Sequence, residues 1–211
     1  MKTYNLIWDF DGNLYDTYPV MFKAYKEAMN IYGVNLSKDE ITKSYRHSKF
    51  NSLKSLIELN AEKYNFNADE FNQLYHKLEL KEQIKPNYFE GADEVLKKVS
   101  ENGYKNFLLT HRDKSAIDFL KQDNLDKYFT DYVTSEMDLK RKPDPEAINY
   151  LINKYDLNIN DTYMIGDRSL DLLAGVNAGV KTIYFNVDSF DDKQYADYCV
   201  DNLLNILEII D

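Results

Sequence analysis

The strongest constraint on the fold is a repeated alternation of short apolar runs with longer helical patterns. The runs are rich in β-branched and aromatic residues and almost continuously apolar, as is typical of parallel strands covered on both faces. The predicted strands span residues 4–8, 106–110, 132–134, 162–165 and 182–185. The predicted helices span residues 92–101, 115–122, 145–155 and 170–178. Strand alternating with helix predicts an α/β fold with a doubly wound parallel sheet.

Residues 18–84 interrupt this alternation, because they show helical patterns and no convincing strand. Ser37 followed by Glu40, and Asn67 followed by Glu70, have the spacing of boxes that cap helix N-termini. We therefore predict an all-helical domain at residues 18–84, inserted into an α/β domain formed by residues 1–17 and 85–211.

The composition excludes several classes of partner. The net charge of −10 disfavours nucleic acid, because no basic face is available to displace counterions from phosphates. No apolar stretch approaches the roughly 18 residues of a membrane span, and the apolar run near the N-terminus is too short for a signal peptide. The single cysteine, Cys199, cannot form an internal disulfide. These features predict a cytoplasmic protein without nucleic-acid or membrane partners and leave its oligomeric state open.

Polar side chains follow the predicted strands where ligands bind in open α/β sheets, at the carboxyl ends of the strands. In chain order they are Asp9, Asp11, Thr110, Lys142, Asp167 and Asp171. Converging carboxylates would repel one another, and a divalent cation removes that repulsion. Because ligands that are all oxygen suit Mg2+ rather than Zn2+, the sequence predicts a magnesium site at this edge of the sheet.

Such a site suits phosphoryl chemistry. Mg2+ keeps coordination positions open for a substrate phosphate, while Lys142 would neutralise further phosphate charge and Thr110 would donate a hydrogen bond. A carboxylate can attack phosphorus to form an aspartyl-phosphate, which divides one difficult displacement into two easier ones. A second carboxylate two residues further on could protonate the leaving oxygen and then activate water.

Four motifs in order resemble those of the haloacid dehalogenase superfamily. Residues 9–17, DFDGNLYDT, resemble its first motif, DxDG[T/V]L. The resemblance covers essentially the whole chain, with the helical insertion where the superfamily carries its C1-type cap. It implies a Rossmann-like core with an all-helical cap domain, in the layout of phosphoglycolate-phosphatase-like enzymes. It also implies a Mg2+-dependent phosphatase of small phosphorylated metabolites. The remaining motifs are matched by Thr110, by Lys142-Pro143 with Pro145, and by Gly166-Asp167 with Asp171.

The resemblance also implies a role for each acidic residue of the motifs. Asp9 would be the nucleophile and a magnesium ligand, and Asp11 would be the general acid and base. Asp11 would also bind the metal through its backbone carbonyl. Asp167 would be the third protein ligand, and Asp171 would orient a metal-bound water.

The substrate phosphate would be held by a cradle around these carboxylates. Thr110 and Lys142 would bind the transferring phosphoryl group. Backbone amides after Asp9 and around Thr110 would complete the cradle. The helical insertion also carries a basic and aromatic patch around Arg46, for which a solvated helix face is the favoured interpretation and substrate selection is the alternative. The further candidate substrate-binding residues are Gly12, Asn13, His111 and, in the insertion, Arg46.

The chain departs from the family pattern at two positions. Asn13 stands where threonine or valine is usual, in a supporting position of the first motif. Arg141 precedes Lys142 where a glycine is common, and Lys142 is preferred as the motif lysine because proline follows it. Two arginines that lie beside motif residues are interpreted as structural. We expect Arg112 to begin the next helix and Arg168 to brace a carboxylate or loop.

Other functions remain open at this stage. Asp11 argues against a dehalogenase, because a halide needs no proton to leave and an alkoxide does. A phosphomutase of the β-phosphoglucomutase type would use the same motifs and pass the phosphoryl group to a sugar. A binding protein could keep the fold without turnover, but it would have no need of the proton donor.

Overall fold

A computed structural model describes residues 2–82 and 86–210, and within them it forms a parallel sheet of six strands. The strand order is β3-β2-β1-β4-β5-β6, and every neighbouring pair is parallel. The strands are β1 (Asn5–Trp8), β2 (Lys105–Leu109), β3 (Phe129–Val133), β4 (Thr162–Gly166), β5 (Lys181–Phe185) and β6 (Tyr198–Val200).

Helices connect these strands and also form a separate group of their own. The group within the insertion comprises α1 (Tyr18–Ile31), α2 (Lys38–Phe50), α3 (Leu53–Tyr64) and α4 (Ala68–Glu82). The helices that follow are α5 (Ala92–Glu101), α6 (Ser115–Gln122), α7 (Glu146–Tyr155), α8 (Ser169–Ala178) and α9 (Ile206–Ile209). The predicted α/β class with a Rossmann-like parallel sheet is confirmed.

The chain divides into two compact units. The core unit comprises Met1–Asp16 with Tyr88–Asp211, and the helical unit comprises Thr17–Asn87. The described residues of the helical unit contain α1 to α4 and no strand. The boundary predicted between residues 84 and 85 lies outside the described residues.

The central strand explains how a carboxylate reaches the middle of the core unit. Every residue of β1 is buried, and its side chains alternate between the two faces of the sheet. Leu6 and Trp8 pack in the apolar cluster on one face, and Ile7 packs in the cluster on the other. Because β2 and β4 flank β1 on both sides, the residue that follows Trp8 emerges at the centre of the sheet edge.

The helical unit has its own apolar core and its own capping residues. Ser37 and Glu40 form the predicted box: the Ser37 hydroxyl accepts from the Glu40 amide at 3.3 Å, and the Glu40 carboxylate accepts from the Ser37 amide at 2.9 Å. The Asn67 side chain accepts from the amide of Glu70 at 3.1 Å. Both predicted helix starts are therefore confirmed, and several aromatic residues between the helices are buried, among them Tyr25 and Phe71.

Two strands at the edges of the sheet differ from the prediction. β6 was not predicted, because its three residues are too few to form a recognisable apolar run, and two of them are exposed. β3 begins at Phe129, three residues before the predicted start at residue 132. Thr130 and Asp131 are polar, and an edge strand can place such residues towards water, so the apolar run marks only the buried end of β3.

Candidate active site

Asp9 and Lys142 form the centre of the candidate site. The Asp9 amide donates to the Ile165 carbonyl at 2.9 Å, which continues the pairing of β1 with β4 and fixes the backbone of Asp9. Lys142 Nζ lies 2.8 Å from Asp9 Oδ1 and 2.6 Å from Asp171 Oδ1. All three side chains are buried, whereas Arg141 is exposed. The structure therefore supports Lys142 over Arg141 as the lysine of the third motif.

Three buried carboxylates lie close enough to hold one cation. Asp9, Asp167 and Asp171 each offer an oxygen, and these oxygens lie within 4.8 Å of one another. Asp9 Oδ2 is buried and makes no hydrogen bond among the described residues, so it can accept a metal ion. An all-oxygen set of this kind fits Mg2+ rather than Zn2+.

Charge and burial together shift the pKa values of this cluster. Burial, followed by repulsion from Asp171, raises the pKa of Asp9 to about 7. Burial alone would lower the pKa of Lys142, but the carboxylates of Asp171 and Asp9 outweigh it and raise that pKa. Burial works against the charged form of Asp171 too, but Lys142 and Arg168 lower its pKa. Lys142 and Asp171 thus stay charged as a pair, and a divalent cation beside Asp9 would favour its ionised form.

Arg168 and Gly166 both help to place the side chain of Asp171. Arg168 Nε lies 3.7 Å from Asp171 Oδ2, which confirms that Arg168 braces a carboxylate. A Cβ at Gly166 would lie 2.8 Å from Asp171 Cγ, closer than real Cβ contacts allow. The glycine of the fourth motif therefore makes room for the Asp171 side chain at the end of β4. The predicted role of Asp171 with a metal-bound water stays a prediction.

The side chain of Asp11 lies outside the carboxylate cluster. It pairs with Arg112, whose Nη2 lies 2.8 Å from Asp11 Oδ1. Arg112 therefore contacts a predicted catalytic residue, and its interpretation as only the start of a helix was wrong. The predicted metal contact through the Asp11 backbone carbonyl and the acid and base roles stay predictions.

Thr110 and His111 shape the loop that follows β2. The buried Thr110 hydroxyl accepts from the Arg112 amide at 3.0 Å. His111 Nε2 accepts from the Lys142 amide at 3.0 Å, so the imidazole braces the loop that carries the lysine. Burial, then Lys142 and Arg141, lower the pKa of His111 to about 3, and the ring is neutral at pH 7. Their predicted contacts with substrate stay predictions.

The turn after Asp9 contains both of the other predicted cradle residues. Gly12 has φ of +74°, a left-handed conformation that a side chain would strain, and its amide donates to the Tyr15 carbonyl at 2.8 Å. Asn13 is fully buried, and neither its amide nitrogen nor its amide oxygen has a hydrogen-bond partner. This is unusual, because a buried amide normally makes hydrogen bonds.

Arg46 belongs to the helical unit rather than to the core unit. It lies on α2, where its guanidinium carbon is 5.6 Å from the centre of the Phe50 ring. Its part in substrate binding stays a prediction.

Asp192 is a supporting residue that the sequence pattern does not indicate. It is buried, and its Oδ2 accepts from the Ser169 amide at 2.7 Å at the start of α8. This bond holds the loop that carries Asp167. Nothing local in the sequence signals the pairing, because Asp192 lies 23 residues beyond Ser169.

With this geometry in place, comparison with known proteins identifies the family. The family model of haloacid dehalogenase-like hydrolases matches residues 6–185. The chain belongs to this family. The match confirms the predicted family and the predicted class of enzyme, a hydrolase.

Relatives and solved structures are similar to this chain over its full length. Pyrophosphatase PpaX of Bacillus mycoides (strain KBAB4) is 26% identical, over 100% of this chain and 98% of the relative. A hydrolase from Streptococcus pneumoniae TIGR4 is 30% identical, with a TM-score of 0.67 over 100% of this chain and 99% of its own. A predicted phosphoglycolate phosphatase from Haemophilus somnus 129pt shares the fold, with a TM-score of 0.85 at 16% identity over 100% and 99% of the two chains.

Residues 2–82 and 86–210 contain no helix with the length and apolar character needed to cross a membrane.

Proposed function

We propose that the protein is a Mg2+-dependent phosphatase that acts on a small phosphorylated metabolite through an aspartyl-phosphate at Asp9. The observation that carries the proposal is the buried cluster of Asp9, Asp167 and Asp171 with Lys142 bound among the carboxylates. Burying this many charged groups costs folding free energy, and such a cluster is more typical of a functional site than of a structural one.

In the first step, Lys142, Asp9 and Asp11 each have a separate role. Lys142 holds Asp9 Oδ1, which orients the carboxylate for attack on phosphorus. The bond from the Asp9 oxygen to phosphorus forms as the bond from phosphorus to the leaving oxygen breaks, and Asp11 gives its proton to that oxygen. A magnesium ion bound by the carboxylates would supply positive charge to the phosphoryl oxygens.

The second step returns the enzyme to its starting state. Asp11, now ionised, takes a proton from a water molecule, and the water oxygen attacks phosphorus. The bond between phosphorus and the Asp9 oxygen breaks, inorganic phosphate leaves, and Asp9 is again a carboxylate. Lys142 offsets negative charge on the phosphoryl group throughout both steps.

The substrate class follows from the relatives and from the proposed architecture. The relatives named pyrophosphatase PpaX make pyrophosphate a candidate substrate, beside phosphate esters of small metabolites. We propose that the helical unit acts as a cap of the C1 type, with Arg46 among the residues that meet the substrate. We also propose a cytoplasmic location, with which the free and exposed Cys199 agrees.

A substrate panel tests this proposal. Phosphate release is measured from pyrophosphate and from a range of phosphorylated metabolites, with Mg2+ and with a chelator. The matched variants are Asp9→Asn in the site and Asp118→Asn, an exposed aspartate on α6. We expect Mg2+-dependent release that Asp9→Asn abolishes and Asp118→Asn retains.

Three results would contradict the proposal. Release that is unchanged in Asp9→Asn would exclude Asp9 as the nucleophile. Conversion of a hexose 1-phosphate to the 6-phosphate without free phosphate would show a phosphomutase, and no turnover of any compound would favour a binding protein.

A further inference from the structure

Arg112 hydrogen-bonds both carboxylate oxygens of Asp11. Its Nη2 donates to Asp11 Oδ1 at 2.8 Å, and its Nε lies 3.2 Å from Oδ1 and 3.4 Å from Oδ2. The Arg112 side chain is only 12% exposed and that of Asp11 is 24% exposed, so water screens the pair less than it screens a surface ion pair. The two residues lie in different loops and are 101 positions apart in the chain.

The backbone around Arg112 holds the guanidinium in place. The Arg112 amide donates to Thr110 Oγ1 at 3.0 Å, and its carbonyl accepts from the Ser135 amide at 3.0 Å. The loop is thereby tied to the ends of β2 and β3. The guanidinium carbon also lies 5.8 Å from the centre of the buried Phe10 ring, within the range of a cation–π contact. These contacts hold the Arg112 guanidinium in position to bind Asp11.

This pair has a consequence for the reaction proposed above. To serve the leaving oxygen, Asp11 must turn a carboxylate oxygen towards it, but Arg112 contacts both oxygens. A guanidinium binds phosphate oxygens in the same forked geometry as a carboxylate. A leaving group with its own phosphate can thus take over the hydrogen bonds of Arg112, and a neutral alcohol cannot.

We propose that Arg112 selects substrates whose leaving group carries negative charge, which makes phosphoanhydrides better substrates than phosphate esters of neutral alcohols. This inference rests on the proposed phosphatase function and deepens it. Sequence similarity to pyrophosphatases does not identify Arg112, whereas its contact with Asp11 does.

The two kinds of substrate place different demands on the leaving oxygen. In a phosphoanhydride, the bond from phosphorus to the bridging oxygen breaks, its electron pair stays on that oxygen, and the departing phosphate carries the charge towards Arg112. In an ester of a neutral alcohol, the departing oxygen instead needs the Asp11 proton to leave as an alcohol. Only the first kind of leaving group gives Arg112 an anion to bind in exchange for Asp11.

The test compares two substrates across three variants. The substrates are pyrophosphate and glycerol 2-phosphate, each assayed with Mg2+. Arg112→Ala removes the fork, Arg112→Lys keeps the charge without the fork, and Lys114→Ala removes an exposed charge from the same loop as a control. Circular dichroism and thermal unfolding establish that each variant is folded, and Arg112→Lys is the variant of choice if Arg112→Ala does not fold.

We expect the wild type to prefer pyrophosphate. Arg112→Ala should lower kcat/KM for pyrophosphate by about 10- to 100-fold, the size expected for charge-assisted hydrogen bonds, and change the value for glycerol 2-phosphate by less than about 3-fold. The kcat/KM of Arg112→Lys for pyrophosphate should lie between the values of the wild type and of Arg112→Ala. Lys114→Ala should match the wild type on both substrates. Added guanidinium chloride should partly restore the activity of Arg112→Ala on pyrophosphate alone, which a purely structural role would not allow.

Three results would overturn the inference. An equal loss on both substrates would mean that Arg112 only supports the fold of the loop. A wild type that prefers glycerol 2-phosphate would exclude selection for a charged leaving group, while leaving the phosphatase function intact. A wild type that releases phosphate from no compound of the panel would exclude the phosphatase function itself, and the inference with it.

Discussion

At the scale of single residues, Lys142 is the counter-charge that allows two buried carboxylates to coexist. Its Nζ contacts both Asp9 and Asp171, and all three side chains are almost completely inaccessible to water. Removal of one partner from a buried ion pair leaves an uncompensated charge and costs about 3 to 5 kcal/mol. The residue that we propose offsets charge in the reaction therefore also stabilises the folded site.

Lys142→Met should consequently impair both activity and stability. We expect a loss of hydrolysis and a decrease of about 3 kcal/mol in the free energy of unfolding, measured with urea. Arg141→Met is the matched control, because Arg141 is the exposed neighbour, and it should unfold like the wild type. A stable Lys142→Met protein with normal turnover would show that the ion pairs are dispensable.

His111 gives the stability of the protein a pH dependence. Its folded-state pKa of about 3 lies below the ordinary value of 6.5, because the ring is buried beside Lys142 and Arg141. Between these two values the unfolded chain binds more protons at this residue than the folded chain does. The contribution of His111 to stability is therefore lost as the pH falls from about 6.5 towards 3.

His111→Asn should remove this contribution. Urea unfolding at several values of pH should show that the wild type loses more stability than the variant as the pH falls below 6.5. At higher pH the two stability curves should run parallel. Parallel curves across the whole range would mean that the His111 ring is protonated equally in both states.

Asn13 carries the cost of a buried amide without partners. Both polar atoms of its side chain are inaccessible to water and unpaired. An unpaired buried polar group costs about 1 to 3 kcal/mol. The family's usual threonine at this position has one hydroxyl in place of the amide.

Asn13→Thr should accordingly raise the free energy of unfolding by about 1 kcal/mol. Thermal or urea unfolding measures the change, and Asn13→Ala, which leaves a cavity, is the comparison. If both variants were destabilised alike, the amide of Asn13 would have to contribute favourably to the folded state.

At the scale of elements, sequence patterns predict best where burial is complete. β1, β2 and β4 are almost entirely buried, and the apolar runs mark each of them to within one residue at either end. The edge strands β3 and β6 are partly exposed, so their apolar signal is short or missing. The sequence predicts local helix caps equally well, as the box of Ser37 and Glu40 shows.

Ser37→Ala tests the contribution of that box to α2. Loss of the hydroxyl leaves the Glu40 amide without its side-chain acceptor, and we expect a loss of about 1 kcal/mol of stability. Ser37→Asp keeps an acceptor at the N-cap and should remain close to the wild type. Hydrogen exchange at the first turn of α2 reports the effect, and equal protection in both variants would contradict it.

At the scale of the whole molecule, the site depends on chain topology more than on local sequence. Asp9, Lys142 and Asp171 were predicted to converge because parallel strands bring their carboxyl ends to one edge, and the structure places them in contact. The pairs of Arg112 with Asp11 and of Asp192 with Ser169 were not predicted. They depend on loop conformations, which no residue spacing encodes.

The proposed mechanism requires that Asp9 becomes phosphorylated during turnover. Rapid quenching of a single turnover with Mg2+ and a good substrate, followed by mass spectrometry of peptides, measures this directly. We expect the peptide that contains Asp9 to carry one phosphoryl group that appears and decays at the rate of turnover, and to carry none in Asp9→Asn or with a chelator. Complete turnover without a phosphorylated Asp9 peptide, together with undiminished release by Asp9→Asn, would contradict the mechanism.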